Sequence, residues 1–281
     1  MRGLPLPLMT QLWPSVHMLG MTTLFGTVPL KDMDPSALTL AIFGEIGRIP
    51  TIDGVKVSTA LSAASFLHLH QTRANRKGLP RTSYIEHPLR NALRVLRWGV
   101  ESEAVLVGVI LHDTVEDCLD RILAAFVPGD WSGLNTTAQR ELAYRWITTE
   151  FSQEASGIVR ALTNPVASGE KLSKAEKREK YASDVAGKIL GNAGAFIGKF
   201  TDFMDNAGGL HHNAVPGHEG MVSHLAAKYG PVVPIFQAEL IANNGPIRAL
   251  VSDAGYAEIE YKLSVLGDRL AALQASPGGP A

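Results

Sequence analysis

The sequence predicts an all-α protein, and three features lead to this prediction. Apolar residues recur at three- and four-residue spacing in the segments VSTALSAASFLHLHQ, LRNALRVLRW and ESEAVLVGVILHD. No run of alternating polar and apolar residues indicates a strand. Pro88 stands where a helix can begin and Gly99 where one can end, so these helix-boundary residues agree with the helical periodicity between them.

Helical signals begin near the N-terminus and continue through the first half of the chain. In DMDPSALTLAIFGEI, Asp34 is a suitable N-cap and Pro35 occupies the first helical position, so a short helix is predicted. The segment FVPGDWSGLN is rich in turn residues and predicts a loop. After it, TTAQRELAYRWITTEF and QEASGIVRALT both have helical periodicity.

The second half is also predicted to be helical. NPVASGEKLSKAEKREKYASDVAG begins as a loop and becomes a charged helix, and AFIGKFTDFMDNAGGL is an amphipathic helix ended by Gly208 and Gly209. Further helices are predicted at about 217–229, 231–242 and 253–274. We predict an N-terminal extension of unknown role over residues 1–50, a main domain over 51–274 and a disordered tail over 275–281.

Composition narrows the class of protein. The chain has 281 residues, 46% of them hydrophobic, and a formal net charge of −1, which argues against a stable nucleic-acid partner held by electrostatics. No apolar run has the length of a membrane span, and prolines interrupt the apolar N-terminal residues, so neither a membrane anchor nor a secretory signal is predicted. Cys118 is the single cysteine, so no intramolecular disulfide can form and a reducing, cytoplasmic setting is expected.

The segment VILHDTVEDC, residues 109–118, places polar chemistry directly after an apolar run. If these residues form one helix, His112 and Glu116 lie one turn apart, as do Asp113 and Asp117. An adjacent His-Asp pair can chelate a metal ion. A lone pair of this kind more often marks a solvated helix end, so the interpretation depends on residues elsewhere in the chain.

Two further residues favour a metal site. His87 stands at a predicted helix start in YIEHPLRNALRVL, and Asp202 lies within the helix of KFTDFMDNAGGL. With His112 and Asp113 they supply two nitrogens and two carboxylates, which suit Mn²⁺, Fe²⁺ or Zn²⁺ better than Ca²⁺ or Mg²⁺. The absence of a cysteine cluster argues against a structural zinc site.

These residues lie in motifs that resemble the HD hydrolase domain of RelA/SpoT-like alarmone enzymes. SYIEHPLRNALRVL and VILHDTVEDC resemble the family patterns YIxHPxxVAxIL and LLHDxxEDT. HLHQTRANRK resembles HxxQxRK, IVRALTNP resembles VxxLTK, and IGKFTDFMDNAGGL resembles VKLADRLHNLR. The five motifs agree in order and approximate spacing over about residues 60–210. No segment resembles the synthetase domain, so the resemblance implies a small, hydrolase-only enzyme with an HD-domain helical bundle.

The resemblance also implies a reaction and a set of roles. The reaction is Mn²⁺-dependent hydrolysis of the 3′-pyrophosphate of (p)ppGpp to give GDP or GTP, with a small nucleotide as the binding partner; Fe²⁺ or Zn²⁺ could fill the same ligands. The family's metal ligands fall on His87, His112, Asp113 and Asp202. Its water-activating acidic pair falls on Glu116 and Asp117, and its substrate-binding groups on Arg76, Lys77 and Asn206.

One motif departs from the family pattern. Where the family has ADRLHNLR, this chain has TDFMDNAG, so Asp205 replaces a histidine and Gly208 stands where an arginine is usual. Both changes are expected to make the pocket less favourable for a guanosine polyphosphate. An adenosine alarmone, NADPH or a pyrophosphorylated tRNA end, the last suited to an antitoxin, are therefore alternative substrates. A non-catalytic module that senses an alarmone is a further alternative.

Overall fold

Helices form nearly all the regular structure of the chain, and the predicted all-α class is confirmed. The structure is a computed structural model that describes residues 26, 28–74, 80–166, 169, 171–213 and 217–275. The helices of the first half are α1 (Pro35–Ile46), α2 (Gly54–Leu67), α3 (Glu86–Arg97), α4 (Glu103–Leu111), α5 (Thr114–Asp117), α6 (Leu119–Phe126) and α7 (Thr136–Glu150). Those of the second half are α8 (Gln153–Leu162), α9 (Lys174–Ile189), α10 (Ala193–Ala207), α11 (Glu219–Tyr229), α12 (Val232–Ala242), α13 (Asn244–Leu250) and α14 (Asp253–Ala275).

Short elements complete the chain. Two-residue strands β1 (Thr72–Arg73) and β2 (Thr82–Ser83) pair antiparallel, with Thr72 opposite Ser83. Single 3₁₀ turns lie at Leu30–Asp32 and Leu210–Asn213. None of the described helices is long and apolar enough to cross a membrane. The predicted tail lies, apart from Ala275, outside the described residues.

The central element of the bundle is α4, with the sequence EAVLVGVIL. A helix that is apolar on every side has to be enclosed, and residues 105–111 are all buried. Helices α2, α3, α8 and α10 pack around it. Because α4 runs through the core, the residue that follows it, His112, emerges in the interior of the protein instead of at its surface.

Small residues let two neighbours approach closely. A Cβ atom at Gly108 of α4 would lie 2.7 Å from Cγ2 of Ile158 in α8. A Cβ atom at Gly198 of α10 would lie 2.7 Å from Cδ1 of Leu162, also in α8. Distances below about 3 Å leave no room for a side chain, so α8 is seated directly against the backbones of α4 and α10.

An aromatic cluster holds the outer face of α10. Phe200 stacks on Trp98 with ring centroids 5.4 Å apart, and it meets Phe236 of α12 edge-on at 5.3 Å. At the end of α3 the backbone of Ser252 donates to the Trp98 carbonyl at 2.9 Å. These contacts attach the C-terminal helices to Trp98, at the end of α3, and to one face of α10. The opposite face of α10 packs against α3 and α4.

The predicted helices are mostly confirmed at their expected places. Helix α1 begins at Pro35, and the Asp34 side chain accepts a hydrogen bond from the Ala37 amide at 2.8 Å, as an N-cap does. The predicted single helix over residues 109–118 is wrong. Helix α4 ends at Leu111 and α5 begins at Thr114, so the polar pair between them occupies a turn. Helices α6 and α13 were not predicted.

The described part of the predicted N-terminal extension belongs to the core. Leu38 and Ile42 of α1 are fully buried, and α1 packs against α3. These side chains are in the same hydrophobic cluster as those of α4 and α10. The core therefore has no break at residue 50, and the division of the chain there stays a prediction.

The contact between α4 and α8 leads to a stability prediction. Gly108→Ala should lower the free energy of unfolding by about 1–3 kcal/mol, because the added methyl group meets Ile158 in a packed interior. The matched control is Gly157→Ala in α8, where nothing lies within 4 Å of an added Cβ. That variant should gain about 0.5–1 kcal/mol from helix propensity. Urea unfolding followed by circular dichroism measures both, and equal stabilisation by the two changes would contradict the packing described.

Candidate metal centre

Three separate helices bring ligand-type side chains to one buried point. His87 is the second residue of α3, His112 follows the last residue of α4, and Asp202 lies in α10. One ligand atom from each lies within 4.8 Å of the others, and all three residues are buried. The His87 Nε2 atom is 3.2 Å from Oδ1 of Asp202. This spacing allows a single ion to contact all three side chains.

Asp113 lies beside this cluster on its more open side. Its Oδ2 atom is 3.0 Å from Nε2 of His112 and 3.6 Å from Nε2 of His87, and its side chain is 25% exposed. The Tyr84 hydroxyl donates to the same oxygen at 2.6 Å. The four predicted ligands are thus brought together, and their assignment as ligands stays a prediction.

The hydrogen bonds of the two histidines define their tautomers. Nδ1 of His112 lies 2.8 Å from the Val109 carbonyl oxygen, and Nδ1 of His87 lies 2.7 Å from Oδ2 of Asp205. Both oxygens can only accept, so Nδ1 carries the proton in each ring. Nε2 of each ring is left to present a lone pair or a second proton to the carboxylates. This is the arrangement usual for histidines that bind metals through Nε2.

The electrostatics of the cluster favour a cation. Burial alone would lower the pKa of His112, but the carboxylates of Asp113 and Asp202 raise it to about 9. Burial likewise opposes ionisation of Asp202, yet Lys199 and His87 hold its pKa well below the usual range. The buried Nε2 of His112 has no well-aligned hydrogen-bond partner among the described residues. The Nε2 atoms of His112 and His87 lie 3.0 and 3.6 Å from Oδ2 of Asp113, so a proton or a metal ion is needed between each nitrogen and the carboxylate. Two imidazoles with carboxylates form a donor set that fits Mn²⁺, Fe²⁺ or Zn²⁺.

Asp205 is buried on the Nδ1 side of the His87 ring. It is fully buried, and it accepts from Nδ1 of His87 and from two nitrogens of Arg90 at 2.8 and 3.0 Å. Burial opposes its ionisation, but these hydrogen bonds hold the pKa of Asp205 well below its ordinary value. The expectation that this carboxylate makes the pocket less favourable for a polyphosphate stays a prediction, and the charge of Asp205 is buried and hydrogen-bonded to Arg90 and His87.

Asn206 and Lys199 both bind the carboxylate of Asp202. The Asn206 side-chain amide donates to Oδ1 of Asp202 at 2.6 Å and accepts from Arg73 at 2.7 Å. The Lys199 ammonium donates to Oδ2 of Asp202 at 2.7 Å. Each oxygen of Asp202 is thereby held in place, and Arg73 is positioned over the ring of Tyr84 with its carbon 5.5 Å from the ring centroid.

The acidic pair of α5 divides into two environments. Glu116 accepts from the backbone amide of Asn164 at 2.9 Å and from its side chain at 2.7 Å, which connects α5 to the loop after α8. Asp117 is exposed, and partial desolvation together with the charges of Asp113 and Glu116 raises its pKa to about 6. Both lie in the short helix that directly follows His112 and Asp113, and their catalytic roles stay a prediction.

Two residues predicted for the site are not among the described residues, and several residues that belong to the site were not predicted. Arg76 and Lys77 lie outside the described residues. Sequence reasoning missed Tyr84, Arg73 and Arg90 as parts of the site. Tyr84 could have been found, because it is the tyrosine of the SYIEHP motif three residues before His87. Nothing in the sequence pattern indicates that Arg90 and Asp205 meet across 115 positions.

The fold and the cluster together define an all-α helical bundle with a buried two-histidine, one-aspartate site that could hold a metal ion. Among solved structures, the chain is similar to a metazoan ortholog of SpoT that hydrolyses ppGpp and plays a role in starvation responses. The TM-score is 0.51 with 19% sequence identity, over 77% of this chain and 96% of that one. No family model matches the sequence, and no curated protein sequence matches it. The similarity is one of fold.

The raised pKa of His112 predicts that metal binding and protonation compete. The ring is protonated at neutral pH in the metal-free protein, so a metal ion has to displace that proton. The apparent Mn²⁺ affinity should fall by about tenfold for each pH unit below about 9. Isothermal titration calorimetry in buffers of different ionisation enthalpy measures the affinity and the proton released. The exposed His70 provides a control, since His70→Gln should leave this dependence unchanged. An apparent Mn²⁺ affinity that does not change with pH would contradict the proposal that the metal ion displaces a proton from His112.

The buried carboxylate of Asp205 predicts a second outcome. Asp205→Asn should lower the free energy of unfolding by about 3–5 kcal/mol at neutral pH, because Arg90 loses one of its two charged partners and keeps only Glu86, at 3.1 Å. The folded-state pKa is depressed, so this contribution is present above the unfolded-state pKa of about 3.9 and is lost as the pH falls below it. Asp268→Asn, on an exposed position of α14, is the control. Urea unfolding of metal-free protein at neutral and acidic pH measures the difference, and equal stabilities of the two variants at neutral pH would refute it.

Proposed function

We propose that this protein is a metal-dependent hydrolase of guanosine polyphosphate alarmones, which removes the 3′-pyrophosphate of (p)ppGpp to give GDP or GTP. The buried cluster of His87, His112 and Asp202 carries the proposal, since its two Nε2 atoms converge with a carboxylate at one point. The fold similarity to a ppGpp hydrolase and the order of the sequence motifs support the same reaction. Mn²⁺ is the proposed metal, with Fe²⁺ or Zn²⁺ as alternatives.

The chain's own residues prepare the centre for a charged substrate. A divalent ion supplies the Lewis acidity that activates water and neutralises charge on a phosphoryl oxygen. Lys199 offsets the charge of Asp202, and Tyr84 orients Asp113 through its 2.6 Å hydrogen bond. These contacts hold the carboxylates in one geometry, which lowers the cost of organising the site during reaction.

Arg73 is proposed to contact the nucleotide together with Arg76 and Lys77. Its side chain is 20% exposed and is fixed by its contacts with Asn206 and the Tyr84 ring. A guanidinium held in this way offers a planar fork to a phosphate or a stacking surface to a base. Asn206 is proposed to act beside the substrate mainly by holding the side chains of Arg73 and Asp202 in fixed positions through its two hydrogen bonds.

The acidic pair is proposed to manage the attacking water. Asp117 has a pKa near 6, which is within the range in which a carboxylate can accept a proton near neutral pH. Glu116 is hydrogen-bonded twice to Asn164, so it positions α5 against the loop that follows α8. We therefore propose Asp117 as the group that accepts the proton and Glu116 as the group that orients α5 and the water.

The substrate panel is the first test. Purified protein with Mn²⁺ should convert ppGpp to GDP and pyrophosphate. The kcat/KM for ppGpp should be at least about tenfold above that for an adenosine alarmone, NADPH or a pyrophosphorylated tRNA end. The reason is that a site built for one nucleotide rejects others that leave its polar groups unpaired. Product analysis by anion-exchange chromatography gives the result. Turnover of another member of the panel in place of ppGpp would assign that substrate. Tight binding of ppGpp without turnover would indicate a non-catalytic sensing module.

Three substitutions separate metal binding from water activation. Asp113→Ala should lose bound Mn²⁺ and activity together. Asp117→Asn and Glu116→Ala should keep most of the metal and lose about 10²–10⁴-fold in kcat, as expected for removal of a general base or its positioning group. Asp120→Asn, an exposed carboxylate in α6, is the control and should change neither property. Metal analysis alongside steady-state kinetics measures both; full activity in Asp117→Asn would exclude the role given to it.

A further inference from the structure

The loop that follows α8 carries Asn164, which is bonded to three other helices. Its backbone and side-chain amides donate to the two oxygens of Glu116 in α5, at 2.9 and 2.7 Å. The Arg140 guanidinium of α7 donates to its carbonyl oxygen at 2.6 Å. The Lys188 ammonium of α9 donates to its side-chain oxygen at 2.5 Å. All four polar atoms of this exposed loop residue therefore have a partner on another helix.

Lys188 reaches this loop from the last turn of α9. Its ammonium also donates to the carbonyl oxygen of Leu162, the last residue of α8, at 2.8 Å. The last carbonyl groups of a helix have no partner within the helix and carry partial negative charge, so a cation is favourable there. One ammonium therefore caps the end of α8 and binds the side chain of Asn164, two residues further along the chain.

The ammonium of Lys188 is available for both of these hydrogen bonds at neutral pH. Partial burial and the charge of Lys199 lower the pKa of Lys188 to about 8, while the carboxylates of Glu116 and Asp202 oppose the shift. The group is therefore still mainly protonated at neutral pH. A lysine ammonium has three donors and no acceptor, so its contacts with the two oxygens are donations only.

The side-chain amide of Asn164 lies between a group that only donates and a group that only accepts. Its oxygen faces the Lys188 ammonium and its nitrogen faces the Glu116 carboxylate. Rotation of the amide by half a turn would place its NH₂ group against the ammonium and its oxygen against the carboxylate, which is unfavourable at both ends. Lys188 therefore helps to hold Asn164 in the one orientation in which its side chain donates to Glu116.

The Glu116 carboxylate depends on this contact for its position. Helix α5 is a single turn of four residues, and so short a helix has little stability of its own. The two donors of Asn164 bind different oxygens of Glu116, so they fix both the place and the plane of the carboxylate. A group that orients a reacting molecule has to be held by its neighbours to within a fraction of an ångström.

We propose that Asn164 and Lys188 are positioning residues of the hydrolase, which hold Glu116 where it orients the attacking water. The proposal rests on the function proposed for the metal centre. Lys188 acts on Asn164, and Asn164 acts on Glu116, so neither residue has to touch the metal ion or the substrate. Their removal should therefore lower turnover and leave metal content and substrate affinity nearly unchanged.

A double-mutant cycle on the Mn²⁺-loaded protein tests this coupling. Lys188→Met and Asn164→Ala should each lower kcat for ppGpp at least about tenfold, because a small displacement of an orienting group is costly. KM and bound Mn²⁺ should stay within about twofold. Both residues act through one contact, so the double variant should lie within about twofold of the more impaired single variant. Lys180→Met, an exposed position of α9, is the control and should leave kcat unchanged. An unchanged kcat in both single variants, or losses that multiply in the double variant, would overturn the proposal.

A second measurement is independent of the reaction. Nuclear magnetic resonance of the full-length, metal-free protein, labelled with ¹⁵N, reports how fast the Asn164 side-chain NH₂ group exchanges with solvent. Lys188→Met should speed this exchange at least about fivefold, because the amide loses the partner of its oxygen, and Lys180→Met should leave it unchanged. Equal exchange in the unmodified protein and in Lys188→Met would overturn the proposal. The expected exchange in a protein that turns over no nucleotide would refute the proposed function and support the contact between Lys188, Asn164 and Glu116.

Discussion

The buried carboxylate of Asp205 is the interaction on which the centre depends. It binds Nδ1 of His87 and two nitrogens of Arg90, so one group joins α10 to α3 and sets the tautomer of a candidate ligand. A carboxylate without exposure is tolerated only when it is fully paired. The pairing with Arg90 meets that requirement, and the hydrogen bond to His87 directs Nε2 at Asp113 and Asp202.

The remaining geometry follows from one apolar helix. Because α4 is enclosed on all sides, it carries His112 into the interior, and the helix ends there instead of continuing. The turn at the polar pair directs His112 towards His87 and leaves Asp113 on the open side, where Tyr84 contacts it. The aromatic packing of Phe200 against Trp98 and Phe236 holds the other face of α10, so Asp202 is presented to the same point.

The sequence was sufficient for most of the helices, because their periodicity is a local property, and the motif order was sufficient to select the four residues that converge and are predicted as ligands. The sequence was insufficient where the position of a side chain or the end of a helix depends on packing between distant segments. Asp205 was expected to make the pocket less favourable for a polyphosphate, since its adjacency to Asn206 does not show that its side chain is buried against Arg90. The break after Leu111 depends on packing around α4.

We propose above all that the Nε2 atoms of His87 and His112 and the buried carboxylate of Asp202 bind one metal ion. Pulsed electron paramagnetic resonance of the Mn²⁺-loaded protein, labelled with ¹⁵N at histidine, tests it directly. Couplings from two histidine nitrogens bound to one Mn²⁺ are predicted, with one lost in His87→Gln and the other in His112→Gln. A spectrum without directly bound nitrogen, or one unchanged in both variants, would contradict the account.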